Sequence, residues 1–261
     1  MKKYFYPLVL MAVLVLTGCT SKNQEKVVKD IDGNQYTVVK IGYQEWMVEN
    51  LKVTHYNDGT PITYAPSVED WQGVDAEKKG AWCVYDFYGT SDDAITANSY
   101  VTYGALYNFY AIESGKLAPE GWRVATEEDW QLLELWLNYD KCNYDDSHNG
   151  NKIAKAMADN TLWAPNEDEG AGDIGNKATF VEKNNVSGFT ALPAGDRRNT
   201  GEYVFQGEQT FWWAATPLER VSDFAYARGL SNTEPNLISL PGKKGFGFTV
   251  RCVRDLDESE Y

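Results

Sequence analysis

Short aromatic blocks, interrupted again and again by glycine and asparagine, rule out a helical bundle for this chain. Its 261 residues include nine tryptophans, seventeen tyrosines and 22 glycines. Large rings distributed this way pack irregular backbone and short strands rather than one long helical stripe. The clearest helical pattern follows Thr126: Trp130, Leu133 and Leu137 share a face, and Leu132 and Trp136 widen it. Thr126 is a good N-cap, and Asp129 at the third helical position is a capping-box partner, so this helix is expected to run to about Tyr139. A shorter helix is expected from Asn151 to Ala158, and Gly104 to Ile112 can be helical through Leu106, Phe109 and Tyr110.

The remainder reads as strands and turns. Asp32-Gly33 is a hairpin turn leading into a strand from Tyr36 to Ile41, and Gln44 to Leu51 continues as a strand. Tyr56 to Pro66 is a turn-rich loop, and Ala81 to Phe87 is a short aromatic strand. Further strands are expected at 188–192, 211–215, 224–228 and 247–254. In the last, Phe248, Val250 and Cys252 alternate with Thr249, Arg251 and Val253, as in a central strand with one less apolar side. The sum is one loop-rich α+β body with no internal repeat.

The N-terminus carries an address. Lys2 and Lys3 precede an apolar run from Tyr4 to Leu16. Roughly 13 apolar residues are too few for a hydrocarbon core that needs about 20, so the segment reads as a signal peptide. It ends in Leu16-Thr17-Gly18-Cys19, which resembles a bacterial lipobox. Residues 1–18 are then expected to be removed, and Cys19 to carry acyl chains. At roughly 0.8 kcal/mol per buried CH₂, two or more chains hold a protein on a membrane stably. Residues 19–29 are read as the lipidated terminus and a flexible tether, and 30–257 as the body.

The formal charge of −14 falls to about −16 once Lys2 and Lys3 are gone. Such a surface argues against nucleic acid or an anionic bilayer as a partner. Besides Cys19, the cysteines are Cys83, Cys142 and Cys252. Cys83 and Cys252 sit in apolar contexts that suit either a disulfide between them or buried free thiols, and none has zinc-site spacing.

Six blocks occur in one order: GAWCVY (80–85), YGALYNFYA (103–111), APEGWRVATEEDW (118–130), SGFTALPAG (187–195), FWWAAT (211–216) and GFTVRCVRD (247–255). Together they resemble the Fibrobacter succinogenes major paralogous domain (FISUMP), common in lipoproteins of Bacteroidota and Fibrobacterota. The resemblance implies a C-type-lectin-like fold with short antiparallel sheets and two main helices, a fold shared with formylglycine-generating enzymes. It implies the cell outer membrane as the location, with the surface face favoured over the periplasmic one. It carries no established activity.

The candidate functional residues are few. Glu234-Pro235-Asn236 matches a calcium-ligating triplet of C-type lectins, without the later Trp-Asn-Asp. With Asp145 and Asp146 of an acidic loop, Glu234 and Asn236 are the candidate metal ligands, for a structural or ligand-bridging calcium. A second acidic loop spans Asn166 to Asp173. Trp163 and Tyr226 are the candidate sugar-stacking rings; of Trp212 and Trp213, at most one is expected to face outward. No triad forms around His55 or His148, and no required cofactor is indicated. The expected role is a non-catalytic binding module for glycan or a surface partner protein. The alternatives are an accessory subunit of an outer-membrane assembly and, less favoured, an enzyme related to the formylglycine-generating enzymes.

Overall fold

The computed structural model describes residues 26–166 and 170–256. The signal segment, Cys19, Glu167, Asp168, Glu169 and residue 257 lie outside the described residues.

In chain order the elements are β1 Val27–Lys29, β2 Gln35–Ile41, β3 Gln44–Met47, β4 Thr63–Tyr64, α1 Val68–Ala76, β5 Ala81–Cys83, α2 Ser91–Ala94, α3 Asn98–Tyr103, β6 Leu106–Tyr107, α4 Phe109–Glu113, β7 Arg123–Val124, α5 Glu127–Tyr139, α6 Ala154–Met157, β8 Asp196–Arg197, β9 Tyr203–Val204, β10 Gln209–Pro217, β11 Phe224–Ser231, β12 Ile238–Lys243 and β13 Cys252–Asp255. The largest sheet has the order β1-β2-β3-β13-β7, so the last strand lies between the third and the seventh. A second sheet is the meander β10-β11-β12, a third is β4-β5-β6, and β8 pairs with β9. The architecture is α+β with several short sheets. The expected antiparallel pairing fails in one of the strand pairs, because β4 runs parallel to β5, and isolated bridges such as Trp212 to Thr249 are parallel as well.

The tryptophans explain how so loop-rich a chain holds together. On β10, Trp213 feeds one hydrophobic cluster with Tyr107, Phe109 and Phe248, while Trp212 feeds a second with Trp46, Trp130 and Phe189. Successive residues of a strand point to opposite faces, so a strand covered on both sides buries both rings. Neither Trp212 nor Trp213 faces outward, within the expectation that at most one would. Cys252 and Val253 divide between the same two clusters on β13. In the second cluster the Trp46 and Trp130 rings lie 4.9 Å apart and those of Trp130 and Trp212 5.4 Å apart.

Helix α5 begins as its sequence demands. Asp129 N donates to Thr126 Oγ1 at 3.2 Å, and Thr126 N donates back to the Asp129 carboxylate at 2.9 Å. Trp130, Leu133 and Leu137 are buried, but Leu132 faces outward and Trp136 is only half-buried. From β11, Arg228 reaches Glu127 and Glu134 and clamps the outer edge of α5.

Two main helices were expected; the described residues contain six. α1 is closed by a capping box between Ser67 and Asp70, a local signal present in the sequence. The stretch 104–112 divides into β6 and α4, and the helix expected over 151–158 is the four-residue α6. Residues 188–192 form no strand: a single bridge joins Ala191 to Ala158. β1 lies inside the stretch read as tether, with Lys26 bonded to Glu45.

The Cys83–Cys252 disulfide is not formed. Both are free and fully buried, in different clusters, and Cys142 is free as well. Burial pushes the thiols of Cys83 and Cys252 up, away from reactive thiolate. Reductant is therefore expected to leave the thermal midpoint unchanged. A drop of several degrees with dithiothreitol, read by circular dichroism, would restore the disulfide.

Candidate functional site

A cavity of about 560 Å³ opens between the β1–β2 turn, the β3–β4 loop and α2. Its size is that of small-ligand sites. Asp32 stands at the hairpin turn, where Gly33 takes φ +83°. Its carboxylate accepts from Thr54 N at 2.6 Å and His55 N at 3.2 Å, and lies 2.7 Å from His55 Nδ1. Burial alone raises the Asp32 pKa, but the Thr54 and His55 donors prevail and hold it below the usual carboxylate value. His55 is placed by the bridge to Pro61 that closes the Asn57-Asp58-Gly59 turn.

The floor is aromatic. Parallel pairing of β4 with β5 sets Tyr64 beside Trp82, with ring centroids 4.7 Å apart. The Tyr100 ring of α3 lies 6.2 Å from Trp82, fixed by its hydroxyl donating to Lys52 O. Asp92 and Ile95 form part of the exposed rim. Two polar tips in this lining, Tyr64 OH and Trp82 Nε1, are shielded from solvent and have no hydrogen-bond partner among the described residues. Because solvent does not reach these two atoms, a ligand in the cleft does not reach them either, and each costs the fold about 1–3 kcal/mol. The arrangement is a concave cleft whose accessible ring is the half-buried Tyr64, backed by the buried Trp82 and Tyr100, with Asp32, Asn34 and His55 at its edge.

The residues singled out from sequence do not assemble here. Trp163 is buried, its Nε1 donating to Ala191 O, so it cannot stack on a sugar. Tyr226 is half-buried on β11 and packs against the second cluster. Asp145 binds Lys152 Nζ and Ser147 Oγ, and the Lys152 contact draws its pKa down to about 2. Asp146 pairs with Lys183. Glu234 and Asn236 are exposed in the β11–β12 turn. Among the described residues no group of three or more His, Cys, Asp or Glu side chains could hold a metal ion, so the four candidate calcium ligands do not form a site together. The second acidic loop is tied internally, with Asn166 Nδ2 donating to Asp173.

Sequence reasoning missed Asp32, Tyr64, Trp82 and Tyr100 as site residues. They lie far apart in the chain, and only the pairing of β4 with β5 and the hairpin turn bring them together.

No curated protein and no solved structure matches the chain in comparison. A family model does match, the Fibrobacter succinogenes major domain, over residues 39–254. That span includes β3, α5, β10 and β13, on which both large clusters are built, as well as most of the cleft lining. The chain belongs to the Fibrobacter succinogenes major domain family.

Proposed function

We propose that this protein is a lipid-anchored module of the cell envelope that binds a glycan in the cleft walled by Tyr64 and His55, without catalysis. The observation that carries the reading is the half-buried Tyr64 ring in a cavity of about 560 Å³ with the polar groups of Asp32, Asn34 and His55 at its edge. Sugars offer both hydroxyls for such groups and apolar ring faces for an aromatic wall. Anchoring through Cys19 at the outer membrane, surface side favoured, is part of the proposal and rests on the N-terminal sequence. So is a C-type-lectin-like topology, supported by the loop-rich α+β body and by β13 lying beside β3. The enzymatic alternative loses support because Cys252, its candidate thiol, is fully buried.

Calcium is not needed for this mode. In a polysaccharide screen of the full chain, saturable binding is expected to persist in EDTA. Binding abolished by EDTA would return attention to Glu234 and Asn236. His55→Ala gives the sharper test. Its side chain is 41% exposed, so the melting temperature should change little. Losing a ligand hydrogen bond of about 0.5–1.5 kcal/mol should weaken glycan binding by roughly 2- to 12-fold. Unchanged affinity would sink the assignment of the site.

One observation favours the accessory-subunit reading. The outer face of α5 exposes Leu132, Leu135 and Tyr139, and Trp136 packs edge-on against Tyr43. Site-specific crosslinking from position 135 in whole membranes, giving one discrete protein adduct, would support it.

A further inference from the structure

We infer that the site accepts a chain of several neutral sugar units, running from the Tyr64–Trp82 cleft past His55 and Asn57 to Trp122; this rests on the cleft being the glycan site. A second cavity of about 260 Å³ adjoins the first, and His55 forms a wall of both. A third, about 230 Å³, shares Asn57, Leu117 and Ala118 with the second and is bounded by Trp122. Three depressions joined through shared walls make one track, longer than a monosaccharide can fill.

The track is held in place. Asn57 N donates to Lys116 O at 2.8 Å, and its Nδ2 reaches Ala118 O at 3.3 Å, fixing the β3–β4 loop against the 114–118 turn. His55 is held by Asp32. At the far end the Arg254 guanidinium lies 5.4 Å from the centre of the Trp122 ring. An aromatic ring thus stands at each end of the track, the arrangement that lets successive sugar rings stack while their hydroxyls meet polar groups between.

Charge selects among glycans. Asp30, Asp32, Asp92 and Glu120 line the first two cavities. Of the cations nearby, Arg123 is engaged by Asp129 and Asp255, Lys116 by Asp58 and Arg254 by Glu45, which leaves Lys29, in the lining of the second cavity, against four carboxylates. Acidic polysaccharide is repelled by this balance and by the overall charge of −14. An extended peptide is less well served, because β4, the strand beside the cleft, is two residues long and offers almost no edge for strand addition.

The test is calorimetric titration of the full chain with ladders of gluco-, manno- and xylo-oligosaccharides of one to six units, with an oligogalacturonate ladder and a basic peptide as comparators. For at least one neutral ladder, affinity should rise about tenfold or more from two units to six, and oligogalacturonate should bind weakly at every length. Trp122→Ala should lower affinity for the six-unit ligand about fivefold and leave the two-unit ligand unchanged. The length series on the unaltered chain stands alone if that variant fails to fold. Affinity that does not rise with length, or long ligands indifferent to Trp122→Ala in a folded variant, would overturn the track while leaving the cleft reading intact. Tighter binding of oligogalacturonate would overturn the charge selection. No binding by any neutral ladder, or binding of the basic peptide alone, would overturn both readings.

Discussion

Replacing Arg251 with methionine is expected to cost the fold about 3–5 kcal/mol, the range for removing one member of a buried charged network. Arg251 lies between the two large clusters and is essentially inaccessible to solvent. Its Nη1 donates to Met47 O at 2.7 Å and Phe189 O at 3.1 Å, and its Nε to Asn50 Oδ1 at 2.8 Å. Nη2 reaches Thr190 O, and the guanidinium lies 4.4 Å from the centre of the Phe189 ring. One side chain thus satisfies carbonyls from the β3 end and from the 189–190 turn, segments with no ladder of their own to share. Methionine fills much of the volume and supplies none of the donors, leaving buried carbonyls unmet. For a body of this size each kcal/mol shifts the midpoint by roughly 2–4 °C, so a fall of about 6–20 °C is expected. Thermal unfolding followed by near-UV circular dichroism reads it directly. A loss under about 1 kcal/mol would mean that water or backbone movement replaces the network.

Asp196→Asn is expected to do the opposite and to stabilise the protein at pH 8. Asp196 is fully buried, and neither carboxylate oxygen has a hydrogen bond among the described residues. Arg198 Nε lies 3.1 Å from Oδ1, close enough to attract but not aligned as a hydrogen bond. Burial pushes the carboxyl up to about 7, partly offset by the Arg198 charge. The folded value lies above the unfolded one of about 3.9, so the folded state binds the extra proton between them. This contribution to stability is fully present below about pH 4 and is lost as pH rises through about 7. Three pKa units correspond to about 4 kcal/mol between these limits. Asparagine carries no such term. Urea midpoints of the two proteins should nearly coincide at pH 4 and diverge by pH 8, with the variant more stable by about 2–4 kcal/mol. A difference that does not change with pH would show the carboxylate to be solvated or paired.

What could be read beforehand was whatever depends on neighbours in sequence. The Thr126 cap, the Trp130–Leu137 stripe and the Asp32-Gly33 turn are local devices, and all three are present. The alternation from Phe248 to Val253 identified a central strand, but not that Arg251 would be drawn into the core by carbonyls from two other segments. β12 was hidden by Pro241 and Gly242, which an edge strand tolerates because one side needs no donors. Trp163 is bonded by its Nε1 to Ala191 O, 28 residues away, a contact that its chain neighbours Leu162 and Ala164 do not announce. The cleft was illegible for the same reason. Asp32 meets His55 across 23 residues, and Tyr64 meets Trp82 only because a two-residue strand pairs in parallel.

The most direct test of the account is amide hydrogen exchange of the full chain with and without a saturating neutral polysaccharide. The account predicts slowed exchange in 54–64, 82–84 and 91–100, extending to 115–122 for long chains, with α5 and the 232–236 turn unchanged. Slowing confined to α5 and Tyr43, or to 143–152 with 232–236, would contradict it and place recognition on another face of the molecule.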